Sequence, residues 1–97
     1  MTKLSTEDIE ARIGAFPDWA RNGEALVCTF SFEDFVNAMG FVSRVADLAE
    51  EHQHHPDIMI RYNKVTLTLS THDAGGLTEK DFALARDIDA FATASKG

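Results

Sequence analysis

Residues 58–72 read IMIRYNKVTLTLSTH. From Val65 onward the pattern is strict: Val65, Leu67 and Leu69 alternate with Thr66, Thr68 and Ser70, the period-two signature of a strand with one apolar and one polar face. Such a strand buries one side only, which predicts an antiparallel sheet covered by helices on one face. Asn63-Lys64 either forms a turn that divides the segment into two strands or belongs to a loop before a single extended one. By strict alternation His72 falls on the side of Thr66, Thr68 and Ser70, at the polar, C-terminal end of the strand.

The flanking segments supply the helices. Upstream, Ser31 with Asp34 forms a capping signal that opens a long helix over about residues 33–52. That helix carries two apolar stripes, one through Phe35, Met39, Val42, Ala46 and Ala49, the other through Phe41, Val45 and Leu48. A helix apolar on two sides has two surfaces to touch. One is the sheet, the other a second helix or another subunit, and the Phe41, Val45 and Leu48 stripe is the expected subunit contact.

Pro56 ends the helical run, because proline disfavours helical backbone at the residue before it. Further upstream, residues 24–32 alternate as a strand, preceded by a turn at Asn22-Gly23 and a shorter strand partner near Trp19. Ser5 and Asp8 cap a first helix over residues 5–16, with Ile9, Ile13 and Phe16 at helical spacing and Pro17 as its stop. Downstream, Ala74-Gly75-Gly76 is a turn, and Thr78 with Asp81 caps a last helix carrying Phe82, Ala85, Ile88 and Phe91. The order is α, β, α, β, α in one domain spanning residues 1–97.

Composition sets the functional limits. Nine basic against sixteen acidic residues give a net charge of −7, which opposes direct docking on nucleic acid or anionic membranes. Cys28 is the single cysteine, so no intramolecular disulfide forms. The start MTKLSTED has neither a basic leader nor an apolar run, and no stretch approaches the roughly twenty apolar residues a membrane helix needs. A soluble, cytoplasmic protein is expected.

Residues 50–57, EEHQHHPD, concentrate the reactive groups: His52, His54 and His55 fall within four positions, and His72 is the only other histidine. Zinc accepts imidazole ligands, but adjacent residues such as His54 and His55 point in divergent directions, and the helical pair of histidines four apart with a glutamate between them is absent. His52 reads as a solvated helix end, where imidazolium meets the helix dipole favourably.

The ordered set Glu50-Glu51-His52-Gln53-His54-His55-Pro56, Tyr62-Asn63-Lys64-Val65, Leu69-Ser70-Thr71-His72, then Gly76-Leu77-Thr78 and Asp81, resembles the pterin-4a-carbinolamine dehydratase family. The likeness runs from about residue 30 to residue 92, and Trp19 stands where the family usually has a tryptophan. It implies an α+β fold, a four-stranded antiparallel sheet with three helices packed on one face, and homodimers joined sheet edge to sheet edge, or homotetramers packed through the long helices. It implies dehydration of 4a-hydroxytetrahydropterin to quinonoid dihydropterin, with no metal or organic cofactor.

By the same resemblance His54 and His72 match an acid/base pair and His55 a residue that holds the pterin substrate. Glu50 matches an acidic position that orients an imidazole or binds the pyrimidine edge. Ser70, Thr71 and Asp73 match a binding segment around His72, while Gln53, Pro56, Trp19 and Asp81 join the substrate-binding set. Histidine suits the reaction, because an unperturbed pKa of about 6.5 lets it give or take a proton near neutrality. The sequence departs from the family at Gln53, where many members carry Asp or Lys, which alters the field on His54 and puts the optimum pH in doubt. It departs again at Ile58, where a tryptophan is common. Some relatives also act as dimerisation cofactors for a transcription factor, so a regulatory protein partner bound through the long helix is the competing reading.

Overall fold

The computed structural model describes residues 2–92 and 95–96. Its sheet has the order β1-β2-β4-β3, antiparallel throughout, from β1 (Ala20–Asn22), β2 (Ala25–Ser31), β3 (Asp57–Arg61) and β4 (Lys64–Leu69). A two-residue strand, β5 (Ser95–Lys96), pairs with Phe30 and Ser31. Three helices, α1 (Thr6–Ile13), α2 (Phe35–His52) and α3 (Glu79–Phe91), complete the α+β domain.

Both candidate fourth strands exist. Asn22 pairs with Ala25 across a turn in which Gly23 takes φ +61°, and Arg61 pairs with Lys64 across Tyr62-Asn63. The second hairpin is held to its neighbour by Asn63, whose side-chain amide donates to the Phe32 carbonyl at 2.8 Å while its own carbonyl accepts from the Phe32 N–H at 2.9 Å.

The register explains the one-sided cover. Leu26 faces Leu69, Cys28 faces Leu67 and Phe30 faces Val65, and all six are buried. The alternate residues Val27, Thr29, Thr66 and Thr68 form the opposite, half-exposed face, where the hydroxyls of Thr29 and Thr66 bond at 2.9 Å. Against the apolar face lie Ile9 of α1, Ala38, Phe41 and Val45 of α2, and Phe82, Leu84, Ala85 and Ile88 of α3. Each large side chain fully buried there contributes roughly 1.5–3 kcal/mol. Aromatic rings link the layers: Phe41 lies 4.7 Å from Phe30, 4.9 Å from Phe32 and 5.5 Å from Phe91.

Four details differ from the sequence reading. Helix α1 ends at Ile13 with Gly14 as its C-cap, so Phe16 lies beyond the helix and Pro17 is not its stop. Ser31 is the last residue of β2, and Asp34 alone caps α2, accepting from the Asn37 N–H at 2.8 Å. The stripe of Phe41, Val45 and Leu48 is not an exposed subunit contact: Val45 is 0 % exposed and Phe41 is buried, because this side of α2 lies on the sheet. The exposed large apolar residues of α2 are instead Phe35, Val36 and Met39. Finally, β4 ends at Leu69, and after a single bridge between Thr71 and Gly76 the chain leaves the sheet in a tight helical turn, His72–Ala74. Gly75, at φ +77°, closes that turn by donating its N–H to the His72 carbonyl. His72 therefore sits on a turn and not on the polar strand face.

Candidate active site

The C-terminus of α2 decides where the histidines point. Gln53 adopts the left-handed conformation, φ 51°, ψ 44°, and its N–H reaches the Glu50 carbonyl while the His54 N–H reaches back to Ala49 at 3.0 Å. This pair of bonds is the Schellman arrangement that satisfies the last carbonyls of a helix. It reverses the chain abruptly, so two adjacent imidazoles leave in opposite directions. His54 turns inward towards α3, while His55 stays at the surface.

His54 is 9 % exposed, and its Nε2 lies 2.5 Å from Oδ1 of Asp81, which is 0 % exposed. The other oxygen of Asp81, Oδ2, accepts from the hydroxyl of Thr71 at 2.8 Å and from the backbone N–H of Thr78 at 2.9 Å. Thr78 is the N-cap of α3, and the bond from its N–H to Asp81 is half of a capping box. One carboxylate thus ends a helix with one oxygen and holds an imidazole with the other. As a carboxylate Asp81 accepts at every one of these contacts, so Nε2 of His54 is the donor of the pair and, in the neutral ring, Nδ1 is the nitrogen left to accept.

His72 is placed by the same cluster. It follows Thr71, whose hydroxyl is shared between Asp81 and Thr78, and its side chain is exposed at the start of the turn. His55 meets Glu50 at 2.5 Å, Nε2 to Oε2, but on the surface, with 65 % of the imidazole side chain exposed. The remaining oxygen of Glu50 stays available to a ligand.

The other candidate residues divide. Pro56 is half-buried between His55 and β3, and Gln53 and Asp73 are exposed. Ser70 donates its hydroxyl to the Glu24 carbonyl at 2.7 Å, so it ties β4 to the β1–β2 turn. Trp19 lies in the core, edge-on to Phe30, with its indole N–H donating to Asp89 at 3.1 Å. Asp81 has no surface to offer a substrate, and its contact with the site is the bond to His54. His52, read as a solvated helix end, bonds Asp87 of α3 at 2.7 Å. Thr78 was read from sequence only as a cap, and its hydroxyl contact with Thr71 is the part of the site that local pattern did not disclose. Among the described residues no three His, Cys, Asp or Glu side chains converge as a metal cage, and no helix is long and apolar enough to cross a membrane.

The family model described as pterin 4 alpha carbinolamine dehydratase matches residues 2–91. A provisionally named pterin-4-alpha-carbinolamine dehydratase of Thermomicrobium roseum is 54 % identical over 88 residues, covering 91 % of this chain and 95 % of the relative. Another from Chloroflexus aurantiacus is 54 % identical over 89 residues, covering 92 % and 96 %. Among solved structures, a transcriptional coactivator/pterin dehydratase from Brucella melitensis superposes with a TM-score of 0.87 at 35 % identity, covering 92 % of this chain and 97 % of that one. A pterin dehydratase-like protein identified as a RuBisCO assembly factor in the alpha-carboxysome gives 0.66 at 30 % identity, covering 79 % and 92 %.

Proposed function

The chain belongs to the pterin 4 alpha carbinolamine dehydratase family, and from that premise we propose that it is a hydro-lyase that converts 4a-hydroxytetrahydropterin to quinonoid dihydropterin and water. The observation that carries this reading is the buried pair of His54 and Asp81, which fixes one imidazole, while Asp81 also bonds Thr71, the residue before an exposed second imidazole, His72.

The reaction breaks the C4a–O bond, with the electron pair leaving on oxygen. One proton must reach the departing hydroxyl and one must leave a ring nitrogen. His54 takes the ring proton on Nδ1, and the imidazolium that forms is stabilised by Asp81 across 2.5 Å. His72, open to solvent, gives its proton to the leaving hydroxyl and regains one from water. His55, oriented by Glu50, and the free oxygen of Glu50 hold the polar edge of the pterin, whose adjacent N–H donors suit a carboxylate. The product serves cytoplasmic aromatic amino-acid hydroxylation, where a reductase restores tetrahydropterin.

Stopped-flow absorbance of 4a-hydroxytetrahydropterin decay tests the reading. Acceleration that survives a chelator and is lost in both His54→Ala and His72→Ala is the expected result. A folded wild type that does not exceed the spontaneous rate overturns it.

A second reading rests on exposed apolar surface. Phe35, Val36 and Met39 on α2, and Ile58, Met59 and Ile60 on the edge strand β3, are open to solvent. They support self-association through the β3 edge into a homodimer, and through α2 into a homotetramer or with a regulatory protein partner. Light scattering of Val36→Glu and Met59→Lys distinguishes the two surfaces, and an unchanged mass in both would remove the idea.

A further inference from the structure

The hydroxyls behind Asp81 form a one-way chain. The Lys80 N–H donates to Thr78 Oγ1 at 3.2 Å, and the Thr71 hydroxyl donates to Asp81 Oδ2 at 2.8 Å. Because the single proton of Thr71 is spent on Asp81, the 2.9 Å contact between the two threonines has Thr78 donating to Thr71. Thr78 therefore sets the rotor of Thr71, Thr71 fills Oδ2, and Oδ1 is left to His54. Thr78 is wholly buried and the Thr71 hydroxyl is spent on Asp81, so both bear on the site through that carboxylate.

We propose that Thr71 and Thr78 are positioning residues that act through Asp81 to keep His54 in the tautomer with Nδ1 unprotonated. The chain accounts for why a helix cap and an imidazole share a carboxylate: the Thr78 backbone N–H and the Thr71 hydroxyl anchor Oδ2, which keeps the carboxylate from turning away and holds Oδ1 on the ring as the acceptor of Nε2–H. The kinetic part of this inference rests on the dehydratase reading. The tautomer part does not.

The test is ¹⁵N NMR of the four histidines in the substrate-free protein, with His54 assigned by its loss in His54→Gln. In wild type, His54 should show an unprotonated Nδ1 and a protonated Nε2. Thr71→Val keeps the size of the side chain and the N-cap of α3 but removes the donor to Oδ2, and it should mix the two tautomers. Thr71→Ser and Thr78→Ser keep the hydroxyls and should restore the wild-type pattern, while Thr78→Val should give an intermediate one. In stopped-flow dehydration kcat should fall about ten- to a hundredfold in Thr71→Val with KM unchanged, the scale on which outer partners of functional imidazoles act. An unaltered His54 signature in folded Thr71→Val, or loss in the serine variants equal to that in the valine ones, would overturn the proposal. Absence of dehydration by the wild type would count against the enzymatic reading alone, since the NMR pattern decides the positioning role without substrate.

Discussion

His54 and His55 are neighbours in sequence, each meets a carboxylate at 2.5 Å, and the two pairs are physically unlike. Asp81 is wholly buried and accepts three hydrogen bonds, whereas Glu50 and His55 lie in water. In the buried pair every polar group was desolvated to make the contact, so losing one partner leaves the others unsatisfied. In the exposed pair water replaces a lost partner, and salt screens what attraction there is. Equal distances thus conceal a rigid, buried imidazole on one side of Gln53 and an adaptable, solvated one on the other.

The difference is largest in stability. Asp81→Ala removes half of the α3 capping box and strands Thr71, the Thr78 N–H and His54 together, at a cost of about 3 kcal/mol or more. For a domain of this size that lowers Tm by roughly 12–24 °C. Calorimetry showing a loss below about 4 °C would mean that the network contributes little and that the two pairs are alike after all.

Asp81→Asn sharpens the comparison on the side of function. Its amide can still cap α3 through oxygen, but it then presents N–H to His54 Nε2 and requires that nitrogen to accept. The proton moves to Nδ1, and dehydration should fall by roughly a hundredfold or more while the fold persists, as expected when the carboxylate behind a reactive imidazole becomes an amide. Retained stopped-flow activity would show that the His54 tautomer does not matter. Glu50→Gln should do far less. The exposed pair is worth at most about 1 kcal/mol, so thermal stability should hold within about 8 °C, and the effect should fall on KM. A collapse of kcat in Glu50→Gln would make His55, and not His54, the imidazole that matters.

How far the sequence discloses this site follows the range of the interactions. The alternation of Val65, Leu67 and Leu69 identified the buried sheet face, and Thr78 with Asp81 identified the start of α3, because both signals are local. The orientation of α2 was not local. Both of its stripes are apolar, and only the packing of Phe41 against Phe30 and Phe91 selects the one that faces the sheet. Alternation likewise misplaced His72, since Gly75 and Gly76 need a turn that begins at residue 72 and takes it off the strand. The second oxygen of Asp81 was illegible for the same reason: the capping pattern accounts for one oxygen, and the imidazole that takes the other lies 27 residues away in sequence.

Gln53 gives the smallest effect and the cleanest separation of backbone from side chain. It sits between the two imidazoles at φ 51°, a conformation that costs an ordinary side chain about 1–2 kcal/mol and glycine very little. Part of that gain is offset by the greater freedom of glycine in the unfolded chain, so Gln53→Gly should stabilise the protein by about 0.5 kcal/mol, read as a higher urea midpoint with an unchanged slope. The turn that sends His54 inward and His55 outward would be kept, since its bonds run through the backbone of Ala49, Glu50, Gln53 and His54. Dehydration by Gln53→Gly then isolates the side chain: a KM that rises at constant stability would place the amide on the substrate, whereas unchanged kinetics would make residue 53 a hinge whose only task is to set two neighbouring histidines apart.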